Sequence, residues 1–342
     1  MFNYKYSYRT RDAAIFPLIV VVTSIVYSFL FTAVITRIAM ANGATTAEEV
    51  QAFSSLPWVN VINMLVGQVF LIGAFVIYSL IKGRDIVTAS TIKGKIKLVP
   101  MLIVVGITIL CVFGFSYLIS LLDIGLISLT GKASLGASVP EGFLGYLVTV
   151  IVFAIVPAVV EEFVYRGAVY NGLAKSYTPV KAILLSAVIF TLMHFSIFQT
   201  VYQMIMGAIA AIICYYTGSI IYAIVFHMIN NFTVVTLGYI VPNMFVVGQQ
   251  SALNIILIVL GAIAAVAGIV YMFVLLKKAC KKYDTKAEVI VEKSEQEQLI
   301  EKTQGLSEYD IRQMSAGSLK DKTVVILMII VLVGIWIALN IL

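Results

Sequence analysis

Two adjacent carboxylates and a guanidinium, Glu161-Glu162-x-x-x-Arg166, precede the chain's two histidines, His194 and His227, and then Asn231. All six lie in apolar surroundings: the first three close Ile155-Val156-Pro157-Ala158-Val159-Val160, His194 ends Phe190-Thr191-Leu192-Met193, and His227-Met228-Ile229-Asn230-Asn231 sits inside another hydrophobic run. An ionisable side chain in a membrane-crossing segment is costly and marks a functional-site hypothesis by default. One free carboxylate, two imidazoles and a carboxamide suit hydrolysis by water. A carboxylate in a dry site is a stronger base than in water, so a water held between Glu161 and His194 can be deprotonated and attack a peptide carbonyl. His227 and Asn231 can then donate to the oxyanion, a contribution of typically a few kcal/mol per donor. No G-x-S-x-G and no cysteine in these segments supplies a covalent nucleophile.

Helical spacing sorts these residues. Glu162 and Arg166 are i,i+4 and share a face, with the acid N-terminal to the base, the better order for an ion pair. Glu161 lies about 100° around the helix and is left without that partner, so one carboxylate is neutralised and the other is available. Phe190 with His194, and His227 with Asn231, are also i,i+4 pairs that point one way. With a hairpin turning near Tyr177, Glu161 is 16 residues before the turn and His194 is 17 after it, so both lie roughly 25 Å from it at 1.5 Å per residue. Asn231 is 13 residues beyond a turn near Gly218, roughly 20 Å in by the same rise. Three helices can thus bring Glu161, His194, His227 and Asn231 to one cavity. Pro157, four residues before Glu161, is a candidate kink that opens it.

The elements that carry these residues are membrane helices. Apolar residues make up 61% of the 342 and charged ones 12%, against about 45–50% and about 25% in soluble domains. The apolar residues run in stretches of about 20, the length that crosses a hydrocarbon core, without the alternation of a β-barrel. The expected fold is an all-α polytopic bundle of about eight core transmembrane helices plus one C-terminal helix. The nine spans are expected at 13–40, 57–81, 98–122, 143–175, 179–197, 200–216, 219–241, 252–276 and 323–342. They divide into N-terminal helices (1–142), a catalytic core (143–241), an eighth helix (242–276), a charged cytoplasmic linker (277–322) and the C-terminal helix (323–342). The linker holds 10 of the 23 basic and 9 of the 17 acidic residues, the balance of a solvated connector.

Lys5, Arg9 and Arg11, then Lys82, Arg84, Lys93, Lys95 and Lys97, then Lys175 and Lys181, then Lys277, Lys278, Lys281 and Lys282 fall on one side if each span crosses once. The other side has Glu48, Glu49, Asp123 and Glu141, with Lys132 its clear base. That asymmetry places the N-terminus in the cytoplasm of a multi-pass cell-membrane protein. The apolar run 13–36 is too long for the core of a cleaved signal peptide, despite Ala39-Met40-Ala41, so a retained span is expected. The net charge of +6 follows from these flanks, and no basic patch interleaved with aromatics points to nucleic acid. Cys111, Cys214 and Cys280 form no CxxC pair and no cysteine zinc site.

E-E-x-x-x-R at Glu161–Arg166, F-x-x-x-H at Phe190–His194 and H-x-x-x-N at His227–Asn231, in this order on successive spans, resemble the CPBP intramembrane protease family, which comprises type II CAAX endopeptidases and bacteriocin-processing, Abi-like proteins. The resemblance covers about residues 143–241. It implies a glutamate-based intramembrane endopeptidase acting on membrane-associated proteins or peptides, with no cofactor. By position, Glu161 is the water-activating base, His194 its partner on the water, His227 and Asn231 the oxyanion site, and Glu162 with Arg166 the structural pair. The linker and ninth span lie outside the family's usual core.

Three rival readings remain at this stage. Two histidines and one glutamate could hold Zn²⁺ with an open position, although H-E-x-x-H is missing and Glu162 is then a base only if its arginine pair breaks. A transporter or proton relay also carries mid-span Glu and His, but duplicated halves are expected there and no repeat is visible. A non-catalytic scaffold or regulator of a membrane partner needs no hydrolysis at all. It would tolerate Glu161→Gln.

Overall fold

The computed structural model describes residues 8–84, 86, 94–131, 138–241, 251–285 and 308–340, with side chains from 319 onward in the last segment. In lipid a backbone satisfies its own N–H and C=O groups only as a helix or a closed barrel, and the described residues contain helices and no strand. They are α1 (Thr10–Ala41), α2 (Ala47–Ser54), α3 (Pro57–Ile81), α4 (Leu98–Thr130), α5 (Gly142–Leu173), α6 (Pro179–Leu192), α7 (Ile197–Thr217), α8 (Ile220–Ile240), α9 (Ala252–Tyr283) and α10 (Glu308–Asn340). Eight of these are long and apolar enough to cross a membrane, so the chain is a multi-pass membrane protein with an all-α bundle. Large apolar side chains such as Phe29, Leu129 and Phe143 stand on its outside, as lipid-facing surface should.

The fifth expected span, 179–197, is corrected. Its helix α6 has 14 residues, about 21 Å at 1.5 Å per residue against a core about 30 Å thick. The chain leaves it at Leu192, turns through Phe195 at a positive φ of 50°, and restarts as α7 at Ile197. The linker boundaries also move. Helix α9 continues through Lys281 and Lys282 to Tyr283, where cations in the last turn suit the negative helix end, and α10 starts at Glu308. The expected linker between 286 and 307 lies outside the described residues, as do Lys5, Lys93 and Lys132.

One end of the bundle collects the basic flanks. Thr10 Oγ1 donates to the Gly172 carbonyl at 3.1 Å, Arg84 pairs with Asp12 at 2.7 Å, and Lys95 pairs with Asp284 at 2.7 Å. The Lys322 ammonium lies 5.9 Å from the Tyr177 ring centre. At mid-bundle α5 is enclosed by α1, α3, α6, α7 and α8, while α4 packs along α9, α8 and α7. Close helix approach rests on small residues: a Cβ built at Gly114 of α4 would sit 2.1 Å from the Ala265 Cβ of α9.

Candidate active site

The site residues are delivered by α5, the α6–α7 turn and α8. Helix α5 is not a regular α-helix: Val150–Ile155 and Phe163–Tyr170 are widened to π-helix on either side of the turn that bears Glu161 and Glu162. Such widenings are rare and concentrate at functional positions. Pro157 follows the first of them. It has no N–H to offer the Phe153 carbonyl four residues back, and that carbonyl accepts instead from Asn231 Nδ2 at 3.3 Å.

The two carboxylates have different surroundings. Glu162 is fully buried at 0% exposure, and its Oε1 accepts from Arg166 Nη1 at 2.8 Å and from His227 Nδ1 at 2.9 Å. Its Oε2 is buried with no hydrogen-bond partner. Arg166, 2% exposed, also donates to the Gly207 carbonyl at 3.1 Å and stacks 4.5 Å from the Phe190 ring centre. Glu161 sits at the accessible edge of the cluster with 9% exposure, and Gln68 of α3 donates to its Oε1 at 3.0 Å. No hydrogen bond joins Glu161 to His194 among the described residues.

Both imidazoles are oriented through Nδ1. A carbonyl only accepts, so the 2.8 Å contact between His194 Nδ1 and the Phe190 carbonyl makes Nδ1 the protonated nitrogen there. His227 Nδ1 likewise faces the Glu162 carboxylate. Neither Nε2 has a hydrogen-bond partner among the described residues, and both rings are half-buried. Asn231 is set by a relay: Tyr202 OH donates to Asn230 Oδ1 at 2.5 Å, Asn230 Nδ2 to Asn231 Oδ1 at 3.0 Å, and Asn231 Nδ2 to the Phe153 carbonyl. One of the two Asn231 amide hydrogens is thereby left over. A cavity of about 10 Å³, close to the volume one water needs, is walled by Glu162, Arg166, His227, Asn230 and Asn231 with Phe190 beneath.

Gln68, Tyr202 and Asn230 are site neighbours that sequence motifs do not flag. The usable signal is a lone amide in an apolar run, as at Gln68, because polar side chains in spans face partners rather than lipid. Among the described residues no three or more of His, Cys, Asp and Glu are grouped to hold a metal. His194 and His227 nonetheless keep free Nε2 atoms, so a metal has at most two imidazole donors and Glu161 to use.

The comparisons with known proteins concern this same stretch. Residues 143–233 match the family model for Rce1-like type II CAAX prenyl endopeptidases. No curated protein and no solved structure matches the chain. The matched segment runs from the start of α5 into α8 and contains Glu161, Glu162, Arg166, His194, His227 and Asn231, while Gln68 lies outside it. Over residues 143–233, then, the chain is similar to the Rce1-like type II CAAX prenyl endopeptidases.

Proposed function

We propose that the protein is an intramembrane endopeptidase that cleaves peptide bonds of membrane-associated proteins or peptides, CAAX-type substrates foremost, by a water activated between Glu161 and His194. The observation that carries this reading is the division of labour between the carboxylates. Glu162 is sealed and committed to Arg166 and His227, whereas Glu161 stands at the more accessible edge of the cluster, held by one amide. His194, protonated at Nδ1, offers the Nε2 lone pair. A water donating one hydrogen to Glu161 and the other to Nε2 turns its own lone pair toward a scissile carbonyl.

Attack forms the C–O bond while Glu161 takes the proton. The leftover Asn231 amide hydrogen and the Nε2–H of doubly protonated His227 receive the oxyanion, and Glu162 balances the His227 charge. Collapse breaks the C–N bond, and the amine leaves with the proton that Glu161 carried. No metal takes part in this scheme. The basic end of the bundle faces the cytoplasm of the cell membrane in this reading, with the N-terminus there. Glu161 is 12 residues from the end of α5 at that side, about 18 Å.

The test compares peptide N-termini in membranes of cells carrying the intact protein or Glu161→Gln at equal abundance. Termini that vanish with the variant identify the substrate and the cleaved bond. Identical sets, under conditions where deleting the protein has an effect, would refute catalysis and leave the scaffold reading.

A further inference from the structure

The turn between α6 and α7 puts irregular backbone deep in the bundle, about 21 Å from the start of α6 by its 14 residues. At that depth each free N–H or C=O needs a protein partner. Local bonds satisfy part of the turn: the His194 amide donates to the Thr191 carbonyl at 3.1 Å and the Phe195 amide to the Leu192 carbonyl at 3.2 Å. The Ile197 N–H, one of the four orphan donors that begin any helix, is not served by the adjacent Ser196, whose hydroxyl makes no cap bond. Its acceptor is 143 residues away. Ile197 N–H donates to Asn340 Oδ1 at 2.7 Å, while Asn340 Nδ2 donates to the Phe195 carbonyl at 3.3 Å and to the Trp336 carbonyl at 2.9 Å.

Helix α10 is built to reach this point. Near the basic end its Lys322 lies over Tyr177. Tyr177 to Phe195 and Lys322 to Asn340 each span 18 residues, so α10 runs beside the short α6 and ends where α6 has stopped. Asn340 is 8% exposed, a carboxamide in a helix that is otherwise apolar from Thr323 to Leu339. A polar side chain in such a run is expensive unless it has a partner, and this one bonds both strands of the turn that carries His194. Phe195, whose positive φ costs energy in a bulky residue, lies between His194 and the cap.

We propose that Asn340 is a positioning residue of the active site: from outside the family-matched segment it caps α7 and fixes the turn that holds His194 Nε2 toward the water site. The proposal rests on the reading of His194 as the partner of Glu161. It gives the C-terminal helix α10 a function, namely completing a site whose own helix α6 is too short.

The test uses the full-length protein in lipid nanodiscs and measures two quantities on wild type, Asn340→Ala, Asn340→Asp and the exposed neighbour Leu339→Ala. One is amide hydrogen exchange of peptides covering 193–199. The other is initial rates on a quenched farnesylated CAAX peptide. Asn340→Ala should speed exchange in that segment at least tenfold and lower kcat about tenfold to a hundredfold, the scale of a small misplacement of a reacting group, with KM unchanged. Asn340→Asp keeps the acceptor for Ile197 N–H, so it should protect the segment and recover part of kcat. It also carries the test if the alanine variant does not fold. Leu339→Ala should change neither. Unchanged exchange in both Asn340 variants, or faster exchange with wild-type kcat, would overturn the proposal. A wild type that cleaves nothing would contradict the CAAX reading instead, and the exchange data would still decide whether Asn340 holds the turn.

Discussion

Asp12 and Glu162 are both buried carboxylates bound to an arginine, and the contrast between them separates a structural ion pair from a working site. At the basic end of the bundle, Asp12 spends both oxygens on the protein: Oδ1 accepts from Tyr78 OH at 2.7 Å, and Oδ2 from Arg84 Nη2 and the Arg9 amide, each at 2.7 Å. The cluster pins α1 to α3, and its one leftover atom is a donor, Arg84 Nε. Deeper in, the Glu161–Glu162 cluster has the same ingredients and leaves acceptors over, Glu162 Oε2 and Gln68 Oε1, beside imidazole Nε2 atoms without a hydrogen-bond partner among the described residues. Unspent lone pairs are costly in a dry interior. Glu162 and His227 also wall the water-sized cavity, which is why the proposed chemistry is assigned to the deeper cluster.

The sharpest way to break this contrast is to remove one charge from each cluster. Glu161→Gln should lower cleavage per folded molecule by about 10²–10⁴-fold, the usual contribution of a general base, at an unchanged Tm. Asp12→Asn should do the reverse, lowering Tm while leaving kcat of the folded fraction intact. Loss of kcat in Asp12→Asn would erase the distinction. Asn231→Ala, read by single-turnover kinetics, should cost about 10²–10³ in rate if its spare hydrogen serves the oxyanion.

Arg166→Met takes the permanent cation from the buried Glu162 carboxylate, leaving it His227 alone, and should cost about 3–5 kcal/mol in denaturant titration. The double variant Glu162→Leu/Arg166→Met should regain most of that stability without regaining activity, since His227 then has no carboxylate. Pro157→Ala returns an N–H that competes with Asn231 for the Phe153 carbonyl, so kcat should fall several-fold with Tm unchanged or raised. The smallest effect is expected at Glu49, far from both clusters. Its carboxylate accepts from the Thr45 and Thr46 amides, the first at 2.6 Å and the second at 3.1 Å, and these bonds hold its pKa below the ordinary carboxylate range. That contribution is present above the unfolded pKa and is lost as pH falls through the lowered one. Glu49→Gln should therefore flatten the acid limb of the stability profile and leave cleavage untouched.

The sequence makes much of this legible, and the gaps have physical causes. Apolar runs are readable because lipid demands them, so the eight long helices follow from composition. The i,i+4 rule brings Glu162 and Arg166 together even though α5 widens to π-helix between them, because both side chains are long enough to absorb the change in pitch. The end of α6 is not legible: Met193-His194-Phe195-Ser196 has neither Gly nor Pro, and the positive φ falls on a phenylalanine. Gln68 and Asn340 meet the site from 93 and 143 residues away, and no local periodicity encodes such contacts. His227 shows the same limit from another side. Its spacing to Asn231 places both on one face of α8, but the bond from its Nδ1 to Glu162 depends on how α8 packs on α5.

The most direct test of the central claim is cleavage by purified full-length protein in nanodiscs, after exhaustive chelation, on a quenched farnesylated CAAX peptide, with wild type and Glu161→Gln side by side. The account requires that chelated wild type cleaves the peptide and that Glu161→Gln, folded to the same Tm, does not. Cleavage that survives Glu161→Gln, or that disappears on chelation and returns with Zn²⁺, would contradict a water activated by Glu161 and His194.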